Sequence, residues 1–192
     1  MEHTTNREIR FTWGLGCCCF SLLLILSLVN TVQGAEEHKE YDFELAKGLY
    51  LYNQGRYKEA ERYLKEALSV KPGDQTSGYY LGLTSLRLQR YREAEEQFRE
   101  VLRRHPDHAR AHMGLGMALY HQGRSREAST ELTIAERTLK DDPLLYDYAG
   151  LAAAEQQSYE QASEKFLRAG KLDSELASDA RYQRGATLHS PR

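Results

Sequence analysis

The sequence predicts an all-α fold, a solenoid of four helical hairpins behind an N-terminal apolar segment. Glycine, alanine and large apolar residues recur at a spacing of 34 residues, over four copies and without an insertion. A fixed period of this length is typical of stacked helical repeats. The composition agrees, because the chain is 28% charged and 41% hydrophobic with only 4 prolines, which is ordinary for a folded helical domain.

The N-terminal segment has the layout of a secretory signal or a membrane anchor. Arg7 and Arg10 precede an uncharged run of 19 residues, 11–29, and acidic residues follow it. A basic start, an apolar run and then small residues are typical of a signal that is removed, here residues 1–34 by cleavage before Ala35. The same run is about 28 Å long as a helix, nearly the thickness of a bilayer core, so a retained anchor is the alternative.

Both alternatives predict the same location for the repeats. Basic residues before the apolar run and acidic residues after it favour a cytoplasmic N-terminus. We therefore expect the repeats to be exported, or anchored in the cytoplasmic membrane outside the cytoplasm, which is periplasmic in a bacterium. Membrane contact is expected only through residues 11–29.

All three cysteines, Cys17, Cys18 and Cys19, lie in the apolar segment, and none follows Phe20. The repeats can therefore form no internal disulfide and no thiolate metal site. Lipid attachment to this cluster is one interpretation. The interpretation that we favour is that small apolar residues fill a membrane segment.

Four sets of residues that recur every 34 positions, which we call columns, predict how the paired helices pack. They are Gly48, Gly82, Gly116 and Gly150; Ala60, Ala94, Ala128 and Ala162; Leu64, Phe98, Leu132 and Phe166; and Ala67, Val101, Ala135 and Ala169. A glycine within a helix costs about 1 kcal/mol relative to alanine, so four in register need a reason. Without a Cβ, the first helix of each hairpin can approach the second closely, and the other three columns form an i, i+4, i+7 stripe that faces the core.

The helix bounds follow from the columns and from the turn residues. Gly55 and Gly123 are placed to end first helices, Pro72 and Pro106 follow second helices, and Pro143 suits the start of a helix. The predicted first helices are 42–54, 76–88, 110–122 and 144–156, and the predicted second helices are 57–70, 91–104, 125–138 and 159–172.

The columns and the 34-residue period resemble those of the tetratricopeptide-repeat family. The resemblance is strongest in the first unit, YDFELAKGLYLYNQGRYKEAERYLKEALSVKPGD. It implies a right-handed superhelix made of the units 41–74, 75–108, 109–142 and 143–176, with residues 177–192 as a partial fifth unit or a C-terminal capping helix.

The resemblance also implies that a protein or peptide partner binds in a concave groove lined by the first helices. The predicted groove residues are Leu45, Leu49, Tyr52, Tyr79, Leu83, Leu86, Arg110, Met113, Met117, Tyr120, Leu144, Asp147 and Leu151. Most are apolar or aromatic at positions that the fold alone should leave exposed, and such a strip is typical of an interface. The alternative is that these residues pack on neighbouring helices.

One specialisation of the family is not expected here. Members that hold the C-terminal carboxylates of cytosolic chaperones carry lysine, asparagine and arginine in the groove. The corresponding positions of this chain are Leu45, Leu49, Tyr80, Arg110 and Gly114. Only Arg110 has a suitable side chain, so the sequence predicts no carboxylate clamp.

The remaining features exclude several function classes. The net charge is −2 and lysine and arginine alternate with glutamate, so no nucleic-acid partner is expected. No phosphate loop, nucleophile elbow or metalloprotease motif is present, and we predict neither an enzyme nor a cofactor. His105, His108 and His112 are close in sequence, but Pro106 interrupts the helix, so a polar loop is expected and no metal site.

Together these observations predict an adaptor that binds a polypeptide segment in its groove. The N-terminal segment makes it a component of the cell envelope, related to secretion, pilus or envelope assembly. The alternative is a homo-oligomeric scaffold whose groove packs against a neighbouring subunit.

Overall fold

The computed structural model describes residues 39–172, and this part of the chain consists of helices and connecting turns. The first helix, α1, spans residues 39–53. It is followed by α2 (Tyr57–Val70), α3 (Gln75–Arg87), α4 (Tyr91–Arg104), α5 (Ala109–His121), α6 (Ser125–Glu136), α7 (Pro143–Glu155) and α8 (Tyr159–Leu172). The predicted signal or anchor and the predicted capping segment lie outside the described residues.

The second helices α2 and α4 begin and end where the sequence predicts, and α8 begins at its predicted residue. The exception is α6, which ends at Glu136, two residues earlier than predicted. A turn follows it, in which the amide of Leu139 bonds to the carbonyl of Ala135 at 2.9 Å. The Tyr146 hydroxyl donates to the carbonyl of Lys140 at 3.1 Å and so holds this turn against α7.

The helices α3, α5 and α7 begin and end one residue earlier than predicted, because the residue that closes each unit caps the next helix. The carboxylate of Asp74 accepts from the Ser77 amide at 2.8 Å. His108 Nδ1 accepts from the amide of Ala111 at 3.1 Å, and Asp142 plays the same part for α7. Such caps satisfy amides that have no partner within the helix.

The first helix differs from the later ones at its start. It is already helical at residue 39, three residues before the predicted bound, and it ends at residue 53, one residue earlier than predicted. In the later units, a turn between hairpins occupies the positions that correspond to residues 39 and 40.

The helices pack as a continuous array. From α3 onward, each first helix contacts its own second helix, and in α1 Gly48 lies against Leu64 of α2. Each second helix contacts the next first helix, and α3·α5 and α5·α7 contacts join neighbouring first helices. The all-α repeat fold is therefore confirmed. None of the described helices combines the length and the apolar character needed to cross a bilayer.

The glycine column lies where the paired helices approach each other most closely. A Cβ added to Gly82 would be 2.7 Å from the Phe98 ring, and one added to Gly116 would be 2.7 Å from Leu132. Gly48 and Gly150 meet Leu64 and Phe166 in the same way, at 2.9 and 2.7 Å. The predicted reason for the glycines is thus confirmed, since any side chain at these positions would collide with the core residue opposite.

One column at the end of the first helices adopts the left-handed conformation in every hairpin. Gly55 and Gly123 have φ of 73° and 74°, as the sequence predicts for C-terminal glycines. Gln89 and Gln157 occupy the same column with φ of 59° and 61°. A side chain is strained in this conformation, so two of the four hairpins contain a strained turn.

Ion pairs join adjacent hairpins at a repeated position. Arg90 Nη1 lies 3.1 Å from Glu61, and Arg124 Nη1 lies 2.7 Å from Glu95. Each of these arginines precedes a second helix and reaches back 29 residues, to the second helix of the preceding hairpin. At the third junction this column holds Ser158; there the Gln156 amide donates to Ser129 at 2.7 Å, and Lys165 Nζ lies 2.7 Å from Glu136.

We expect Gly82→Ala to lower the free energy of unfolding by about 1–2 kcal/mol, measured by urea denaturation. The new methyl group collides with Phe98, and this outweighs the gain of about 1 kcal/mol in helix propensity. Phe98→Leu in the same chain should relieve the collision, so the double variant should lose less than the two single variants combined. A stabilised Gly82→Ala protein would contradict the close approach.

We expect Gln89→Gly to raise the free energy of unfolding, by up to about 1 kcal/mol, because glycine removes the left-handed strain. Gly55→Gln is the matched reverse change. A Cβ at Gly55 meets nothing within 4 Å, so its expected loss of about 1 kcal/mol isolates the backbone effect. Equal stability of all three proteins in urea would show that the turns are unstrained.

Candidate functional site

The first helices together line one depression, which we call the concave site. It has a volume of about 410 Å³ and receives residues from α1, α3, α5 and α7 and from the start of α4. Its lining residues are Tyr52, Tyr79, Leu83, Leu86, Arg87, Gln89, Tyr91, Met113, Met117, His121, Leu144 and Tyr148. The site is mostly apolar and aromatic, and within residues 39–172 no carboxylate lines it.

The concave site brings together seven of the predicted groove residues: Tyr52, Tyr79, Leu83, Leu86, Met113, Met117 and Leu144. The other predicted residues do not line it. Arg110 borders a separate depression with residues 138–143. Leu45 and Leu151 pack against the cores of the first and last hairpins, and Leu49, Tyr120 and Asp147 are half-buried outside the lining.

The expectation that the fold leaves the groove residues exposed is correct for few of them. Arg110 is exposed and Leu144 is 37% exposed, whereas Met113 is only 6% exposed and belongs to the core. The other ten predicted residues are half-buried. The reason is that neighbouring first helices contact one another, so each covers part of the next one's inner face.

Tyrosine rings form one wall of the concave site. The Tyr52 and Tyr79 rings each meet the ring of Tyr80 edge-on, at 5.4 Å between centroids. Tyr79 also stacks on His108 at 5.3 Å. Edge-on and stacked rings hold one another in place, so this wall is preformed.

A second aromatic cluster forms another wall of the concave site. Tyr91 and His121 stack at 4.6 Å with an angle of 12° between their planes. His121 Nε2 lies 3.0 Å from the hydroxyl of Tyr148, and the Tyr148 ring meets that of Tyr120 edge-on at 5.7 Å. Three hairpins therefore contribute to a single aromatic wall.

Arg87 is the cation of the concave site. A hydrogen bond with Tyr52 raises the pKa of its guanidinium further above the ordinary value, and the nearby phenols of Tyr57 and Tyr148 act in the same direction. Among the described residues, Arg87 forms no ion pair with a carboxylate, in contrast to Arg90 and Arg124. Its charge therefore faces the concave site without an acidic partner there.

The tyrosine hydroxyls remain hydrogen-bond donors at neutral pH. Burial raises the pKa of Tyr79 to about 12. Burial also raises the pKa of Tyr148, although the charge of Arg87 acts in the opposite direction. The concave site thus presents an apolar floor, protonated phenols and one guanidinium.

Sequence reasoning missed five of the lining residues: Arg87, Gln89, Tyr91, His121 and Tyr148. Two signals point to some of them. Arg87 and His121 occupy the same column, directly after the last predicted groove position of their units. Tyr91 belongs to a column that also holds Tyr57 and Tyr159, and such a recurring aromatic indicates a common environment.

The histidines near the second junction have other partners. His108 Nδ1 caps α5, and the ring of His108 stacks on Tyr79. His112 Nδ1 lies 2.6 Å from Glu131, and its Nε2 lies 2.9 Å from the carbonyl oxygen of Pro106. Within residues 39–172, no group of three histidine, cysteine or acidic side chains is arranged to hold a metal ion.

A larger depression of about 650 Å³ lies between the third and fourth hairpins, at residues 123–127 and 155–158. Its polar groups bond to one another and to neighbouring helices. Arg124 pairs with Glu127 at 2.6 Å, and Gln156 donates to the carbonyl of Ser125 at 3.2 Å. With little apolar surface to desolvate, this depression is a weaker candidate than the concave site.

Comparison with known proteins agrees with the geometry. Family models described as tetratricopeptide repeat match residues 45–74 and 79–143. No curated protein sequence matches the chain.

Several solved structures are similar. A thermophilic TPR protein of Thermus thermophilus, TTC0263, is 26% identical with a TM-score of 0.63, covering 70% of this chain and 75% of that one. PilF of Pseudomonas aeruginosa is 22% identical with a TM-score of 0.69, covering 80% and 69%. YrrB, described as a TPR protein with an unusual peptide-binding site, is 22% identical with a TM-score of 0.65, covering 81% and 80%.

We expect the free energy of unfolding to fall as the pH is lowered from about 7 to about 5.5. Burial lowers the pKa of His108 and of His121 in the folded protein. The unfolded chain therefore takes up these protons first, from about pH 6.5 downward, until the pH falls below the folded pKa values.

The matched variants are His121→Phe, which keeps a stacking ring, and His108→Asn, which keeps a capping acceptor. Each variant should reduce the slope of the free energy of unfolding against pH. The reduction should be less than about 1.4 kcal/mol per pH unit, which is the limit for the uptake of one proton. Urea denaturation at several pH values gives the slopes. An unchanged slope in the double variant would show that neither histidine is responsible.

Proposed function

Because the chain belongs to the tetratricopeptide-repeat family, we propose that it is a protein-interaction adaptor that binds a polypeptide segment in the concave site. The fold is one that typically serves as a non-catalytic interaction module. The observation that carries the proposal is the concave site itself: four first helices converge on one preformed depression that is lined mainly by aliphatic and aromatic residues.

The lining suits a peptide better than a small polar ligand. Leu83, Met117 and Leu144 offer apolar surface for the ligand's side chains, and methionine adapts its shape to different partners. The tyrosine walls add rigid contact area at a low cost in conformational entropy. Their hydroxyls are placed to bond to the peptide backbone, whose polar groups need partners once water is excluded.

We also propose that the adaptor works in the cell envelope, with a secretion, pilus or envelope-assembly component as its partner. The support is the sequence pattern before the repeats, a basic start and an uncharged run over residues 11–29. A bound segment would then meet the repeats outside the cytoplasm, either near a retained anchor or on a released protein.

The concave site is tested with two exposed leucines that differ in position. Leu144 lines the site and is 37% exposed, whereas Leu167 lies on α8 away from it and is 46% exposed. We expect Leu144→Glu to weaken binding by about tenfold or more, because a buried apolar contact contributes about 1.5 kcal/mol. Leu167→Glu should leave it unchanged.

The probes are peptides selected from a displayed random library on the full chain in detergent micelles. Their affinities for both variants are then measured by fluorescence anisotropy, with circular dichroism to verify the fold. Peptides that bind Leu144→Glu as tightly as the original chain would exclude the concave site. Selection of no peptide at all would exclude peptide capture.

The proposed location predicts where the protein is found in its native cells. We expect the repeats outside the cytoplasm, accessible to protease once the outer barriers are opened. N-terminal sequencing should give either Ala35 or the uncut start of the chain, according to whether residues 1–34 are removed. A full-length protein in the soluble cytoplasmic fraction would refute the location but would leave the concave site unaffected.

A further inference from the structure

The outer face of α1 has the position of an internal repeat interface but lacks its covering helix among the described residues. In the later first helices, one stripe at i, i+4 and i+7 lies against the second helix of the preceding hairpin. Leu81 shows this directly, since it belongs to one buried cluster with Ala60 and Leu64 of that hairpin. The stripe is deeply buried at Ser77, Leu81, Thr84, Ala111, Leu115 and Ala118.

In α1 the same stripe carries large aromatic residues that reach solvent. Phe43 is 61% exposed and Tyr50 is 55% exposed, at the positions of Ser77 and Thr84, which are both 0% exposed. Lys47 lies between them, and its Nζ is 5.7 Å from the centroid of the Tyr50 ring. Two large exposed aromatics on one helix face, at an interface position, indicate a docking surface.

The ion pairs between hairpins show the same missing partner. Arg90 contacts Glu93 of its own hairpin and also Glu61 of the preceding one. Arg124 contacts both Glu127 and Glu95 in the same arrangement. Arg56 occupies this column in the first hairpin, and the ion pair found for it in the described chain is with Glu59 of its own hairpin, at 2.6 Å.

Extending the 29-residue spacing of the internal ion pairs back from Arg56 does not reach a carboxylate. The residue 29 positions before Arg56 is Ser27. Residues 39–40 are also helical, whereas their counterparts 73–74, 107–108 and 141–142 lie in the turns between hairpins. Residues 39–40 therefore continue α1 at the positions where the later units have a turn.

A second copy stacked end to end does not supply it either. The exposed second helix at the other end of the described chain is α8, and its residue in the column of Glu61 and Glu95 is Ser163. A copy placed with α8 on α1 would thus give Arg56 a hydroxyl, whereas the two internal junctions that have an arginine in this column provide it with a carboxylate.

We propose that the outer face of α1, formed by Phe43, Lys47 and Tyr50 with Arg56 beyond its end, docks an amphipathic helix of a partner protein. The internal junctions define the chemistry of that helix. It carries a glutamate in its second turn, as α2 and α4 do at Glu61 and Glu95, and a leucine seven residues later, as they do at Leu68 and Leu102. The glutamate binds Arg56, and the apolar stripe covers the two aromatic rings.

The probe is a synthetic helix with the sequence of α2, cross-linked on its far face and labelled with fluorescein. The full chain in detergent micelles should bind it in an anisotropy titration. Arg56→Gln should weaken binding about 2- to 5-fold, the range for an exposed ion pair. The peptide variant Glu61→Gln should cause the same loss, with no further loss when both changes are combined.

Two sets of control variants distinguish docking on the outer face of α1 from binding elsewhere on the chain. Phe43→Gln with Tyr50→Gln should weaken binding by about tenfold or more, because both rings lose their apolar cover. Glu59→Gln removes the pair within the hairpin and should not weaken binding. Leu144→Glu, in the concave site, should have no effect, so this surface and the concave site can fail independently.

Several results would overturn the proposal. The first is that the α2 peptide does not bind. The second is that the chain with Arg56→Gln, and the chain with Phe43→Gln and Tyr50→Gln, bind the α2 peptide as tightly as the original chain does. A photo-cross-linker at position 50 gives a second test in the full chain. A cross-link to residues 1–38 of the same chain, or to a second copy, would show that the face is already covered.

Discussion

The close approach of paired helices at the glycine column is the contact on which the rest of the structure depends. In each hairpin a glycine of the first helix faces a leucine or phenylalanine of the second, with no room for a Cβ between them. Because this contact recurs every 34 residues, each hairpin has the same shape and stacks on the next in the same way. The regular array follows from one local constraint, repeated four times.

The same contact links the core to the concave site. Phe98 packs against Gly82 of its own hairpin and also against Gly114 of the next one. The ring of Tyr79, in the wall of the site, lies 6.0 Å from that of Phe98. A core side chain thus supports two first helices and one site residue together, so the geometry of the site is fixed by buried packing and needs no loop to define it.

Residues at the same position of the repeat are buried in one hairpin and exposed in another. A residue that faces the preceding hairpin is buried in the middle of the solenoid and exposed in α1, where Phe43 and Tyr50 replace Ser77 and Thr84. Repeats contact only their neighbours, so within residues 39–172 the first repeat presents this face without a second helix packed on it. The arginine column follows the same rule, since the described ion pair of Arg56 is confined to its own hairpin.

The sequence by itself determined the repeats, the helix bounds from α2 onward to within two residues, and the core residues of the second helices. These properties depend on local propensity and on a period that can be counted. Only the tertiary structure decided which groove residues converge, that Met113 is buried, and that Arg87, Tyr91 and His121 join the concave site. Their side chains meet across three hairpins. The distances between such residues depend on how neighbouring first helices pack, and this packing cannot be deduced from the residue spacing within a single repeat.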